Sequence, residues 1–327
     1  MSTWLRRSIL IGAGVLLLCS LLPSPAHGCS ICRCGDPTFN ALGTDVYKDG
    51  AFRVFLDWER FDKEQGAISD EGSGDGVSLA KHEGHDHAAA RESVVENRFT
   101  TSLSYSFGER AIAVARIPWS SRTLSEEAGA SERTRDLADP EIYTLVRLWS
   151  SNFAADVGRR AWLSALAGVK TAWGKNDLVE SGVRLDEHLQ PGTGSTDWFG
   201  GLSGFYLLDK RSSLFGSVQR RITGANDSGY EYGEITLANL GYERKLGGAL
   251  DAALEVNYRN AGRDRIDAEG TLDPNTGGSL LYLTPRLVID LRRGLVGRLA
   301  VQVPVRRSLN GDQRERAVAN LGFTYLF

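Results

Sequence analysis

No cysteine lies beyond position 34, the only methionine is the first residue, and no long apolar run follows Leu22. The missing thiols suit a chain that matures in an oxidising compartment. The missing apolar run excludes a membrane helix in the mature chain. It does not exclude a barrel, whose strands carry lipid-facing side chains only at every second position. Charge of either sign is also not in excess: 38 Lys and Arg stand against 41 Asp and Glu. That balance implies no polyanionic partner, nucleic acid included. At 327 residues the chain can hold one large β domain or two ordinary domains.

The start of the chain reads as an export signal over residues 1–28. Arg6 and Arg7 precede an apolar stretch from Ile9 to Leu22, and Ala26 and Gly28 provide small residues before a cut at Cys29. An uncleaved anchor is the alternative, but the stretch is short for a span. Arg6-Arg7 faintly resembles a twin-arginine signal. Cys29 after the cut suggests a lipoprotein, although Ala26 stands where lipoproteins usually carry leucine. Residues 29–50 then form a Cys-rich segment expected in the periplasm. Residues 51–327 alternate strand-like stretches with polar loops, and residues 62–96 make a long His-bearing loop expected outside the cell.

The strand-like stretches have a period of two. Phe52, Val54, Leu56 and Trp58 share one face, opposite Arg53, Asp57 and Glu59, with Phe55 as the exception. Leu254 and Val256 alternate with Glu255 and Arg259, and Val301 and Val303 with Arg298 and Arg306. A soluble sandwich would turn the apolar face inward. Here the other face is charged and the pattern persists to the C-terminus, which predicts a closed antiparallel transmembrane β-barrel with a wet interior. About twelve stretches are legible, near residues 51–61, 97–107, 111–119, 141–150, 161–173, 197–208, 214–222, 232–243, 250–259, 279–290, 296–306 and 317–327. Their connections tend to alternate between short and long, as barrel turns and external loops do. Asp57, Glu255, Arg259, Arg298 and Arg306 are therefore expected inside, and Leu254, Val256, Val301 and Val303 against lipid. The chain ends with Ala319, Leu321, Phe323, Tyr325 and Phe327 on one face. A terminal aromatic in that position looks like the signal read by the barrel assembly machinery.

Several motifs resemble those of a known family. Gly168-Val169-Lys170-Thr171-Ala172-Trp173-Gly174-Lys175 is similar to its "GLKLPTGD" strand end. Leu189-Gln190-Pro191-Gly192-Thr193-Gly194-Ser195 resembles its "LQPGTGS" loop, and Leu137-Ala138-Asp139-Pro140-Glu141 its "GLGDPEL" strand entry. Val303-Pro304-Val305 with Asn310-Gly311-Asp312-Gln313 resembles its "PVY…NGDQ" hairpin. The family is that of outer-membrane transporters named for the MetA pathway of phenol degradation. The resemblance covers roughly residues 95–327. It implies a small outer-membrane barrel and transport, without giving a solute; the Cys-rich start and the His loop lie outside its pattern.

Two clusters suggest metal chemistry. Cys29, Cys32 and Cys34 place three thiols within six residues, enough to bind copper or zinc once deprotonated. A local disulfide with one spare thiol is the competing reading. His82, His85 and His87, with Glu83 and Asp86, can gather around zinc, copper or nickel, or simply form a solvated loop. Covalent haem attachment is disfavoured because Arg33 stands where that motif needs histidine. No enzyme is expected: His188 is the only other histidine of the mature chain and lacks the His-x-Ser pattern of outer-membrane phospholipases. The leading expectation is an outer-membrane channel or transporter for small solutes, with a link to a metal ion. The alternative is a metal-binding or redox module anchored by the barrel. A sheath around a multihaem cytochrome ranks last, because twelve strands leave too narrow a bore.

Overall fold

The computed structural model describes residues 50–65, 92–108, 110–126, 131–153, 159–180, 182–266, 269–291, 294–311 and 313–327. In chain order the strands are β1 (Phe52–Gln65), β2 (Glu92–Phe107), β3 (Ala111–Glu126), β4 (Ser131–Leu137), β5 (Glu141–Phe153), β6 (Arg159–Lys170), β7 (Val179–Glu180) and β8 (Val183–Arg184). They continue with β9 (Asp197–Leu207), β10 (Ser212–Ile222), β11 (Ile235–Gly247), β12 (Leu250–Ala261), β13 (Gly278–Asp290), β14 (Leu295–Leu309), β15 (Gln313–Glu315) and β16 (Val318–Leu326).

Twelve of these close an antiparallel barrel, in the order β1, β2, β3, β5, β6, β9, β10, β11, β12, β13, β14 and β16. Closure runs from Arg53 opposite Leu326 to Arg60 opposite Ala319. It gives each edge strand a partner, and a membrane-spanning sheet requires that because hydrocarbon offers no hydrogen bonds. Short β4 and β15 extend the wall by pairing with the ends of β3 and β1, and β7 pairs with β8 within a loop. All twelve stretches expected from alternation correspond to barrel strands. Short turns join β9 to β10, β11 to β12 and β13 to β14 at one end. The longer connections, including 171–196, 223–234 and 262–277, emerge at the other.

Alternation sorts the side chains as expected, with one correction. Leu254 and Val256 are about half exposed on the outer wall, while Glu255 and Arg259 are almost wholly enclosed by the inner one. Val301 and Val303 face outward and Arg298 inward. Phe55, the exception in the first strand, is buried inside, with the Arg298 guanidinium 5.7 Å from its ring centroid. Arg306 is the correction: it takes the outer face, opposite Leu281. The pairing of β13 with β14 shifts between Leu281–Arg306 and Tyr282–Pro304, leaving Val305 as the extra residue. A bulge reverses the parity of everything beyond it. Arg307 thus takes the inner position, opposite buried Leu280, and its Nε donates to the Glu315 carbonyl at 3.0 Å.

Several strands outrun their apolar pattern. β2 begins at Glu92 and β3 reaches Glu126, pairing residue for residue through Glu92–Glu126. Ser120 to Ser125 on β3 lacks a greasy face, yet its backbone is held on one side by β2 and on the other by β4. Backbone pairing needs no lipid contact, so strands continue past the stretch where alternation is selected.

The C-terminal strand supplies the seam. Phe327 N donates to Phe52 O at 3.0 Å, and the two rings lie 5.5 Å apart. Tyr325 packs edge-on against Phe327 at 4.6 Å. Deleting Phe327 is expected to reduce the amount of heat-modifiable barrel recovered from membranes, with the conductance of the barrels that do assemble unchanged. Normal membrane levels of the truncated chain would contradict a role for this residue in assembly.

Candidate functional site: the barrel lumen

The inner wall is built from charges that answer one another. Glu96 accepts from Arg98 Nε at 3.1 Å, Arg122 Nε at 3.1 Å and Ser120 Oγ at 2.8 Å. Glu141 is held by Arg116 Nη1 at 3.1 Å and by Arg221 Nη2. Lower down, Arg298 Nη2 meets Asp57 at 2.8 Å and Arg286 Nη1 meets Glu255 at 3.0 Å. Paired charges of this kind tolerate burial because each desolvated ion has a counter-ion and directed hydrogen bonds.

The densest of these clusters is made by the motif segments. Lys170, the last residue of β6, places Nζ 3.0 Å from both Asp139 Oδ2 and Asp197 Oδ2, and donates to Thr193 Oγ1. Asp139 also accepts from Gly174 N at 2.9 Å and Thr193 N at 2.7 Å. Ser195 Oγ donates to Asp197 Oδ1 at 2.9 Å. Asp197 lies 3.8 Å from Arg221, which joins this cluster to Glu141. The strand entry, the strand end and the loop therefore share one buried ionic knot. Glycine is required at its centre: a Cβ on Gly174 would lie 2.6 Å from both Asp139 N and Oδ1, and one on Gly192 would lie 2.7 Å from the Gly174 carbonyl carbon.

The knot holds the connection 171–196 against the inner wall. Gln190 is wholly buried; its amide bridges Leu178 and Leu185 through bonds of 3.0–3.1 Å. Arg122 Nη1, on the wall of β3, donates to the carbonyls of His188, at 3.0 Å, and Gln190. Thr134 Oγ1 donates to Leu189 O at 2.9 Å. Near the mouth, the loop is clasped by its neighbours. Tyr230 OH donates to Asp264 Oδ2 at 2.6 Å and lies 3.1 Å from His188 Nε2, while Tyr232 OH donates to Glu187 O at 2.9 Å. Asp264 sits in the connection 262–277, where burial raises its carboxyl above the usual range against the opposing effect of His188. The sequence reading treats His188 as an ordinary loop residue. Only long-range folding brings Tyr230 and Asp264 to it.

Towards the short-turn end the lumen holds a cavity of about 350 Å³. Trp162, Phe205 and Phe215 form a cross-strand row on β6, β9 and β10. Trp162 and Phe205 stack with centroids 4.1 Å apart. Phe215 lies over Gly241, where a Cβ would be 2.2 Å from its Cζ. Gly241→Val is expected to push the Phe215 ring out of place and cost roughly 1–3 kcal/mol by overpacking, read as a lower midpoint in denaturant unfolding. An unchanged midpoint would contradict this packing.

Cys29, Cys32, Cys34, His82, His85 and His87 all lie outside the described residues. Among the described residues, no group of three or more His, Cys, Asp or Glu is disposed to hold a metal ion.

Known proteins bear on the fold. No protein-family model matches the chain, and no curated protein matches it either. Among solved structures it is similar to the COG4313 outer membrane channel from Pseudomonas putida F1, with a TM-score of 0.59, 12% identity, and coverage of 86% of this chain and 96% of that one. The translocator domain of the autotransporter NalP from Neisseria meningitidis matches at a TM-score of 0.46 and 12% identity, over 87% of this chain and 91% of that one. The toluene transporter TodX of P. putida matches at 0.39 and 10%, over 86% and 91%. The first likeness is one of fold, and it agrees with the twelve-stranded outer-membrane barrel.

Proposed function

We propose that this chain is an outer-membrane channel for small solutes, with its bore narrowed by the connection between β6 and β9. The observation that carries the proposal is the polar, charge-lined interior of a closed barrel, against whose wall the Lys170–Asp139–Asp197 knot holds residues 171–196. An outer wall of exposed aliphatic and aromatic side chains suits lipid, whereas the inner wall suits water and solute. The channel named above as similar in fold agrees with this reading. In it, the short turns face the periplasm and the long connections face outward, as in other barrels of this kind. Reconstituted into liposomes, the full chain is expected to admit small solutes and exclude larger sugars in swelling assays. Swelling no faster than protein-free liposomes for every solute tried would contradict it.

We propose in addition that the channel is linked to a metal ion, a reading supported by the residue types and spacing of the Cys and His clusters. Titration of the mature chain with zinc or copper is expected to show binding that is lost when His82, His85 and His87 become alanine and Cys29, Cys32 and Cys34 become serine. Unchanged binding in that variant, or none in the wild type, would remove the metal from the account.

A further inference from the structure

Three of the long connections meet at one ionisable cluster near the mouth. Asp264, in 262–277, accepts from Tyr230 OH at 2.6 Å and from Gly233 N at 2.7 Å, both in 223–234. His188, in 171–196, brings Nε2 to 3.1 Å from the same Tyr230 oxygen and to 3.9 Å from Asp264 Oδ2. Its ring stands nearly perpendicular to those of Tyr230 and Tyr232, with centroids 5.8 and 6.1 Å away. The imidazole side chain is 16% exposed and the Asp264 side chain 8%. Protons therefore reach the pair, while little water screens it.

The bonding of this cluster survives a change in charge. Tyr230 has one hydroxyl proton and gives it to Asp264, so its oxygen accepts from His188. The Nε2–H that this requires exists in one neutral tautomer and in the imidazolium alike. Protonation at Nδ1 breaks no bond of the chain from His188 through Tyr230 to Asp264. It adds a positive charge beside a carboxylate of another connection.

Loss of that charge acts the other way. Burial raises the Asp264 carboxyl above its usual range and Asp273 adds to this, while His188, Tyr230 and Gly233 oppose it. An ionised Asp264 without an imidazolium is a poorly solvated anion, so parting the connections to hydrate it becomes favourable. Both groups carry the same sign. A carboxyl raised in the closed cluster favours closure at low pH, and that contribution is lost as the pH rises through the raised value. An imidazolium that meets a carboxylate only in the closed cluster does likewise, across the ordinary histidine range near pH ~6.5.

The neighbouring charges are engaged elsewhere. Asp186 Oδ1 accepts from His188 N at 2.8 Å, Arg184 pairs with Glu187, and Arg265 pairs with Glu231. Asp273 Oδ1 accepts from Asn275 N at 2.8 Å. Arg122 donates to the His188 carbonyl, not to its ring. Among the described side chains facing the ring, the imidazole alone is of a type that ordinarily titrates between about pH 5 and 8.

We infer that His188, Tyr230 and Asp264 form a proton-operated clasp, which holds the three connections together at the mouth in mild acid and releases them as the pH rises. The Lys170 knot keeps the root of 171–196 on the wall in both states. The inference deepens the channel reading and rests on it only for the conductance readout.

The test uses the full chain at about pH 5.5 and about pH 7.5, on either side of the histidine range. Single-channel conductance is recorded in planar bilayers. Cleavage by added protease within 171–196 is measured in parallel and normalised to that of the unfolded chain at each pH. In the wild type, both are expected to be severalfold lower at the acidic pH. His188→Gln keeps a donor for Tyr230 but cannot take up the proton, and Asp264→Asn keeps an acceptor but no charge. Each variant, in barrels that remain heat-modifiable, is expected to lose the difference between the two pH values. A wild type without that difference in either readout, or one that opens in acid, would overturn the inference. So would a difference that survives either substitution, which would assign it to other histidines of the chain. A conducting barrel without the pH pattern sinks only the clasp. A barrel that never conducts but shows the pattern in its cleavage sinks only the channel.

Discussion

Lys170→Met is expected to open the bore. The substitution keeps a long side chain but removes the one ammonium shared by Asp139 and Asp197. Breaking a buried ion pair from one side typically costs about 3–5 kcal/mol, because the orphaned carboxylate stays desolvated. Here two carboxylates are left, and both help hold the connection 171–196: Asp139 through Thr193 N and Gly174 N, Asp197 through Ser195 Oγ. The cheapest relief is for that connection to leave the wall and admit water. The barrel strands themselves keep their backbone pairing, since β5, β6 and β9 are joined by registers that do not depend on the lysine side chain. The expected result is a severalfold rise in single-channel conductance and faster cleavage by added protease within 171–196, with heat-modifiability retained. Unchanged conductance together with unchanged protease sensitivity would show that the knot does not hold the loop.

Val256→Arg is expected to lower the stability of the barrel in a bilayer. Val256 is on the outer wall of β12, with Leu240 opposite it on β11 and Leu283 opposite it on β13, and all three are well exposed on that face. An arginine at mid-height on a lipid-facing wall costs roughly 2–4 kcal/mol in barrels of this type. Val256→Leu is the control and is expected to be close to neutral. Equilibrium unfolding in liposomes reads the difference. A loss below that range, equal for both variants, would place this face away from lipid.

The architecture was legible because lipid and water impose opposite demands on adjacent residues. Leu254, Glu255, Val256 and Asn257 carry that demand without ambiguity, and each falls on the expected wall. Arg306 failed because one extra residue, Val305, inverts the parity, and a bulge in a run of apolar and basic residues leaves no local signal. The ends of β2 and β3 failed for another reason: their outer turns are held by pairing alone. The lumen site was only half legible. The segments around Asp139, Lys170 and Thr193 stand out by resemblance, but nothing local says that a strand entry, a strand end and a loop meet at one ammonium. Their sequence separations reach 54 residues, as between Thr193 and Asp139, and only the closed barrel spans them. The clasp of His188 with Tyr230 and Asp264 is hidden for the same reason, since its members come from three different connections. Trp162, Phe205 and Phe215 are inward-facing aromatics on a wall expected to be polar; like Phe55, they break the alternation.

The central claim is that this barrel conducts small solutes through a bore that its own loop constricts. Single-channel recording of the wild-type chain in planar bilayers, side by side with Lys170→Met, tests it most directly. The account predicts small, steady openings for the wild type and markedly larger ones for the variant at the same voltage and salt. A wild-type barrel with the conductance of an unobstructed pore, or the absence of conductance in both proteins despite verified insertion, would contradict it.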